Sequence, residues 1–298
     1  MTTVTRLSRT QWAWRRLRAR WRHVCALAII VAGLAAVLAC RPAQADQLVQ
    51  IAPHWTAVPP QSSTVTPPLL GYLARPYGQG RFPAVVVLHW CSGFSDHDVD
   101  AASQLKSWGY VALAVDSLGD ANMCQAFGGA AAQAHDAAAA FRYLAAQRFV
   151  DAGRVAMLGF SMGGSAVLET VDAQLLPGLS RSPFRAAVAF YPGCAGSSGL
   201  MTAPTLVLIG AADDWSSPDA CRKLAAHEND IGITRANGPS EPVDLVVYPG
   251  ATHAFDAPEP ARHYLGHFMR YGAAATQDAQ IRVRAFLRRT IGDWPDPQ

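Results

Sequence analysis

From residue 82 onward, short and continuous apolar segments alternate with segments of helical periodicity, and this alternation restricts the possible folds more than any other feature of the sequence. A strand that is buried on both faces is apolar at nearly every position. The pattern therefore predicts an α/β fold with a mostly parallel, twisted sheet and helices on both faces. The predicted strands are Pro83–Leu88, Tyr110–Val115, Val155–Leu158, Ala186–Phe190, Thr205–Ile209 and Val243–Tyr248. The predicted helices cover 99–107, 131–147 and 277–289, and two more begin near Met162 and Pro218.

The first 45 residues have the organisation of a targeting segment. An arginine-rich stretch precedes an apolar run, Cys25–Ala39, which is followed by the small-residue site Ala43–Ala45. These are the three parts of a secretory signal peptide. We therefore expect residues 1–45 to be a signal peptide and residues 46–298 to be a single domain of an exported protein, periplasmic or secreted.

Two other fates of this segment stay open. Cys40 ends a poor match to a lipoprotein signal, which would give a lipid-anchored protein. Alternatively, the apolar run stays in place as an N-terminal anchor, although its length of about 16 residues is short for a membrane span.

The basic character of the chain belongs to the same segment. It holds eight arginines and no acidic residue, so the net charge of +3 for the whole chain becomes −5 for residues 46–298. Nucleic-acid-binding domains carry a basic surface. We therefore expect no nucleic-acid partner, and no stable membrane association after removal of the leader.

Four cysteines lie outside the predicted leader. In an oxidising compartment they permit two disulfides, in any of three pairings. Their spacing does not resemble a zinc site, and the sequence indicates no metal and no cofactor. These cysteines are Cys91, Cys124, Cys194 and Cys221.

A G-x-S-x-G motif, Gly159-Phe160-Ser161-Met162-Gly163, follows one predicted strand and precedes a helix. In that context the motif is typical of the α/β-hydrolase fold, where the serine is a nucleophile on a sharp turn. The flanking glycines avoid collisions at that turn. The motif therefore predicts Ser161 as the nucleophile, and the alternative is a glycine-rich turn without a catalytic role.

A serine hydroxyl needs a base, and His253 is the candidate because it follows the last predicted strand. This position fits the chain order Ser, Asp, His of α/β-hydrolases. His263 and His267 are spaced as on one helix face, but no glutamate completes a metal motif. We interpret these two as helix-surface residues or packing residues.

The base in turn needs a carboxylate to orient it. Asp213 and Asp214 both follow the penultimate predicted strand. We prefer Asp213, three residues after Gly210, and Asp214 remains the alternative.

An oxyanion hole in this fold combines the N–H after the nucleophile with an N–H from an earlier loop. The first donor is then Met162. The loop after Leu88 supplies the second, for which we choose Cys91. Trp90, in the same loop, is a candidate for lining the substrate pocket, with a packing role as its alternative.

Four segments, in this order, resemble the dienelactone hydrolase family of α/β-hydrolases: Leu88–Gly93, Gly159–Gly164, Gly210–Trp215 and Tyr248–Phe255. The resemblance spans residues 66–291. It implies a compact domain without a large lid, and hydrolysis of lactones or small esters through a covalent acyl-enzyme.

The chain also departs from that family. Ser161 stands where the namesake enzymes carry a cysteine nucleophile. Those enzymes use acidic and arginine side chains where this chain has Trp90 and the arginine-free segment Asp116–Asp120. One insertion relative to the family spacing leaves Asp213 and Asp214 both open. These departures favour a general carboxylesterase acting on small esters or lactones.

Two other classes of function remain as alternatives. A peptidase or an acyltransferase would use the same three side chains. A non-catalytic binding protein would keep only the fold.

Overall fold

The structure is a computed structural model that describes residues 46–51, 69–117, 124, 129–175, 182–226 and 240–294. The predicted signal peptide lies outside these residues. So does most of the arginine-free segment, from residue 118 onward. Within the described ranges, no helix combines the length and the apolar composition that a membrane span requires.

One eight-stranded sheet contains all six predicted strands and two further strands before them. The strands are β1 (Gln47–Ile51), β2 (Leu69–Ala74), β3 (Phe82–Leu88), β4 (Val111–Asp116), β5 (Val150–Phe160), β6 (Ala186–Phe190), β7 (Thr205–Gly210) and β8 (Val243–Tyr248). Their order across the sheet is β1-β2-β4-β3-β5-β6-β7-β8. The pairs β1–β2 and β2–β4 are antiparallel, and all other neighbours are parallel. The prediction of a mostly parallel sheet is therefore confirmed.

The middle of the sheet is buried on both faces. Every residue of β3 and of β7 is buried, which explains why these strands have continuous apolar sequences rather than alternating ones. Valine at positions 85–87 also suits an extended backbone, because β-branched side chains pack well on a pleated surface.

Within the ranges that the structure describes, five α-helices connect or follow these strands, and each corresponds to a predicted one, with boundaries that differ by up to four residues. They are α1 (Asp96–Ser107), α2 (Gly129–Ala145), α3 (Met162–Val171), α4 (Pro218–Ala226) and α5 (Ala273–Ile291). The start of α1 is fixed by Asp98, whose carboxylate accepts the backbone N–H of Ser95 at 2.9 Å. This cap gives the Ser95 amide, which has no acceptor within the helix, a hydrogen-bond partner.

A small hairpin was not predicted. It consists of β9 (Arg262–Tyr264) and β10 (His267–Met269), which pair antiparallel. The interpretation of His263 and His267 as helix-surface residues is therefore wrong, whereas the alternative of a packing role holds for His267, whose ring stacks on that of Trp215. Leu265 and Gly266 make a tight turn with positive φ at both positions, and this brings two short strands together where the spacing alone suggested a helix.

Two disulfides join the four cysteines outside the leader. Cys91 pairs with Cys124, and Cys194 pairs with Cys221. The first links the loop after β3 to the segment before α2, and the second links the loop after β6 to α4. The sequence left three pairings open, and the structure selects this one.

Candidate active site

Ser161 lies at the turn between β5 and α3, with backbone angles φ 53° and ψ −114°. A residue other than glycine rarely adopts positive φ, and such strain is concentrated at functional sites. Two backbone hydrogen bonds of 2.9 Å hold the turn: Ser161 N–H donates to Phe190 O, and Ser165 N–H donates to Ser161 O. The hydroxyl is therefore presented at the carboxyl end of the sheet.

The start of α3 packs directly on the end of β3 because residue 163 is glycine. A Cβ atom at Gly163 would collide with the carbonyl oxygens of Leu88 and His89. Met162 is the first residue of this helix, and N–H groups in the first turn have no acceptor within the helix. The first turn of α3 thus packs against the end of β3 and the first residue of the loop that follows it.

His253 lies just after β8 and is almost fully buried, with 2% of its surface exposed. Its Nε2 is 2.9 Å from Ser161 Oγ, and its Nδ1 is 2.9 Å from an oxygen of Asp213. Since a carboxylate only accepts hydrogen bonds, Nδ1 carries the proton and Nε2 is free to accept the serine hydroxyl. The three side chains form one continuous hydrogen-bonded chain.

Asp213 is fixed by more than the histidine. Its second oxygen accepts the backbone N–H groups of Trp215 at 3.0 Å and Ser216 at 2.8 Å. Asp214 points elsewhere: its carboxylate accepts the Phe268 N–H at 3.3 Å, and its side chain is 52% exposed. The structure therefore places Asp213, and not Asp214, beside the ring of His253.

A second glycine makes room for the histidine loop. A Cβ atom at Gly210, the last residue of β7, would collide with the carbonyl oxygen of Ala251. Ala212 N–H also donates to that oxygen at 2.9 Å. The loop that holds Asp213 and the loop that holds His253 therefore touch through their backbones.

The loop after β3 holds the other two predicted site residues. Cys91 is buried and tied by its disulfide to Cys124. Trp90 is partly buried, and its ring stacks on that of His97, with 4.8 Å between ring centroids and an interplanar angle of 9°. The structure therefore gives Trp90 a packing contact inside the protein.

A second group of buried polar side chains was missed by the sequence analysis. Asp256 accepts the Tyr191 hydroxyl at 2.6 Å and lies 3.0 Å from His97 Nε2. Asp256 is only three residues after His253, which was a usable signal. The partners could not be predicted, because they come from segments 65 and 159 residues away.

The protonation states in this group follow from its surroundings. Burial lowers the pKa of His97, but the charge of Asp256, its hydrogen bond and the charges of Asp98 and Asp100 outweigh burial and raise the pKa to about 9. Burial, together with the nearby carboxylates, raises the pKa of Tyr191 well above its usual value. At neutral pH, both groups therefore keep the protons that they donate to Asp256.

Trp215 packs near the ring of His253. Its ring lies 5.1 Å from the ring of His253 and stacks at 4.5 Å on that of His267 in the β9–β10 hairpin. The sequence contained Trp215 directly after the two candidate aspartates, but nothing in the pattern showed which ring it would meet.

A hydroxyl, an imidazole and a carboxylate linked in series can activate the hydroxyl as a nucleophile. In the described part of the chain, no group of three or more His, Cys, Asp or Glu side chains is arranged to hold a metal ion.

Comparison with known proteins gives a family for most of the chain. Residues 69–291 match a family model described as "Dienelactone hydrolase family". A Bradyrhizobium protein described as a "Probable 2-oxo-3-(5-oxofuran-2-ylidene)propanoate lactonase" is 29% identical over 253 residues, which are 74% of this chain and 88% of that protein.

Solved structures share the fold. A dienelactone hydrolase-like promiscuous phosphotriesterase from metagenomic libraries superposes with a TM-score of 0.62 at 22% identity, over 83% of this chain and all of that one. The propionate-bound esterase 2 of Thermogutta terrifontis gives a TM-score of 0.58 at 19% identity, over 77% of this chain and 92% of that one.

The buried His97–Asp256 pair should make stability depend on pH in a defined direction. A pKa raised from 6.5 to about 9 stabilises the fold fully below pH 6.5, and the contribution is lost as the pH rises through about 9. We expect the free energy of unfolding to fall over this interval by at most about 3 kcal/mol from this pair. Urea unfolding at both ends of the interval measures it.

In His97→Gln, the free energy of unfolding should fall much less over this pH interval. In His263→Gln, a change at an exposed histidine of the hairpin, it should fall as in the wild type. An equally steep fall in His97→Gln would contradict the assignment of the pH dependence to the His97–Asp256 pair.

Proposed function

This chain belongs to the dienelactone hydrolase family and is a hydrolase of carboxylic esters, and on that premise we propose that it cleaves small esters or lactones through an acyl-enzyme formed on Ser161. The observation that supports this proposal best is the hydrogen-bonded chain from Ser161 Oγ through His253 to Asp213, with 2.9 Å at each link. In it, each group has the partner that its role requires.

In the acylation step, His253 Nε2 removes the proton of Ser161 as the hydroxyl oxygen attacks the carbonyl carbon of the ester. Asp213 holds the ring in the tautomer that leaves Nε2 free and stabilises the imidazolium that forms. The proton then passes from Nε2 to the alcohol oxygen, the carbon–oxygen bond breaks, and the acyl group remains on Ser161.

In the deacylation step, the same histidine removes a proton from water, and the resulting hydroxide attacks the acyl carbon. The acid leaves as Ser161 recovers its proton from Nε2. A lactone follows the same course, except that its leaving alcohol stays attached to the acyl group. Neither step needs a cofactor.

We assign the oxyanion hole to the backbone N–H groups of Met162 and Cys91. Support for this comes from the position of Met162 at the start of α3, from the close packing of that helix on the end of β3, and from the disulfide that ties down Cys91. Each such donor contributes about 3 kcal/mol to stabilising the transition state. We place Trp90 at the edge of the substrate pocket, where its stacking on His97 would fix it.

Replacing the nucleophile is the direct test. Ser161→Ala should reduce kcat for a p-nitrophenyl ester by up to about 10⁶-fold, because the variant has no oxygen to form the acyl-enzyme. It should also fail to react with a fluorophosphonate probe. Ser107→Ala, at an exposed serine at the end of α1, is the matched control and should react normally. Wild-type turnover by Ser161→Ala would exclude the mechanism.

The two neighbouring aspartates provide a second test. Asp213→Asn should lower kcat by about 10⁴-fold, since the amide would favour the wrong tautomer of His253. Asp214→Asn should stay within about twofold of the wild type, because its carboxylate contacts the exposed hairpin instead. Steady-state kinetics on one ester substrate compares them. Equal losses in both variants would refute the assignment of Asp213.

We also propose that the protein is exported and that residues 1–45 are a cleaved signal peptide. The two disulfides support this, because such bonds persist in oxidising compartments and are rare in the cytosol. Residues 46–298 then form the single mature domain.

Mass spectrometry of the protein purified from a Gram-negative host checks this proposal. We expect a periplasmic or secreted chain that begins at Asp46, and an unchanged product in Cys40→Ser, because a lipid anchor at that cysteine is not used. A chain that retains the first 45 residues, or that carries lipid on Cys40, would contradict signal-peptide cleavage before Asp46.

A further inference from the structure

Asp256 joins two distant segments beside the proposed catalytic residues. Its Oδ1 accepts the Tyr191 hydroxyl at 2.6 Å, and its Oδ2 lies 3.0 Å from His97 Nε2. Its side chain is only 10% exposed. A carboxylate that is buried this far must be paired, or it destabilises the fold, so the position of Asp256 is coupled to both partners.

This carboxylate also lies in the loop that carries His253. Asp256 comes three residues after His253, and between them Ala254 has a φ of 53°, so the loop has a strained conformation that its surroundings must hold. The ring of Tyr191 packs edge-on against the ring of His253, with 4.7 Å between centroids. Tyr191 itself has a φ of 39° and no exposed surface. The ring of His253 therefore packs against Tyr191, which is hydrogen-bonded to Asp256.

The other partner of Asp256, His97, contacts the loop after β3 and the residue before the nucleophile. His97 stacks on Trp90 of the loop after β3, and its ring meets Phe160 edge-on at 4.3 Å. Phe160 directly precedes Ser161. One carboxylate thus connects the histidine loop with the loop that we assign to the oxyanion hole and with the turn of the nucleophile.

We propose that Tyr191, Asp256 and His97 are positioning residues that hold the imidazole of His253 at the correct distance from Ser161 and from the oxyanion loop. This inference rests on the proposed function, since it assumes that His253 is the base. None of the three exchanges a proton with the substrate, and each acts through the residue that it holds.

Tyr191 and His97 are two hydrogen-bond donors to a single acceptor, the carboxylate of Asp256. Nε2 of His97 carries a proton in the cationic form and in the neutral tautomer that donates to Asp256. The charged groups that face His97 are Asp256, Asp98 and Asp100, and those that face Tyr191 are Asp256, Asp98 and Asp213. All of these are carboxylates, and Asp256 is the one that lies within hydrogen-bonding distance of both donors.

A matched pair of tyrosine variants separates positioning from general stability. Tyr191→Phe removes only the hydroxyl and keeps the ring against His253. Tyr110→Phe is the control: Tyr110 is also fully buried and donates to a carboxylate, that of Asp293, at 3.0 Å, but it lies before β4 at the opposite end of the sheet. Both variants should show similar falls in melting temperature.

Their kinetics should differ. We expect kcat per site titrated with a fluorophosphonate probe to fall about tenfold in Tyr191→Phe, with KM within about twofold, since small displacements of a reacting group lower kcat strongly. Tyr110→Phe should keep the wild-type kcat. His97→Gln, which retains an N–H near the position of Nε2, should keep more activity than His97→Leu.

These experiments separate failure of this inference from failure of the proposed function. An inactive Ser161→Ala together with a wild-type kcat per titrated site in Tyr191→Phe would overturn this inference alone. Equal activity in His97→Gln and His97→Leu would also overturn it. Full turnover in Ser161→Ala would overturn the proposed function and this inference with it.

Discussion

The site depends on one hydrogen bond, between the Ser161 hydroxyl and Nε2 of His253, which joins side chains 92 residues apart. It can form only because β5 and β8 end at the same edge of a parallel sheet, with β6 and β7 between them. Parallel pairing places the carboxyl ends of all these strands together, which is why open α/β sheets bind ligands there. Two glycines then allow the loops to approach within backbone contact, Gly163 toward β3 and Gly210 toward the histidine loop.

Burying the charged carboxylates is the main destabilising contribution in this arrangement, and their hydrogen-bond donors offset it. The carboxylates of Asp213, Asp256 and Asp98 each have donors within hydrogen-bonding distance. Removing one partner of such a pair costs more than the pair contributes, because an uncompensated charge remains in a low-dielectric interior. The polar residues at this edge of the sheet therefore constrain one another, and the backbone strain at Ser161, Tyr191 and Ala254 persists because these contacts hold it.

Much of the fold could be predicted, because continuous apolar strands and helical periodicity are local signals. The antiparallel strands β1 and β2 were not predicted, since β1 is the edge strand, β2 is its neighbour, and both are partly exposed, with a weaker apolar pattern. The sequence of the β9–β10 hairpin suggested a helix instead of two strands. Its two histidines have helical spacing, and only the turn at Leu265 and Gly266 shows that the chain reverses there.

The sequence by itself determined the order of the strands along the chain, the position of Ser161 at a strand-to-helix turn, and the position of His253 in the loop directly after the last strand of the sheet. These follow from residue type and local spacing. Only the tertiary structure decided which aspartate meets His253, which cysteines pair, and that Asp256 binds Tyr191 and His97. Neighbouring residues such as Asp213 and Asp214 have nearly identical local sequence. What separates them is the direction in which the folded backbone points each side chain, and that direction is set by contacts with distant segments.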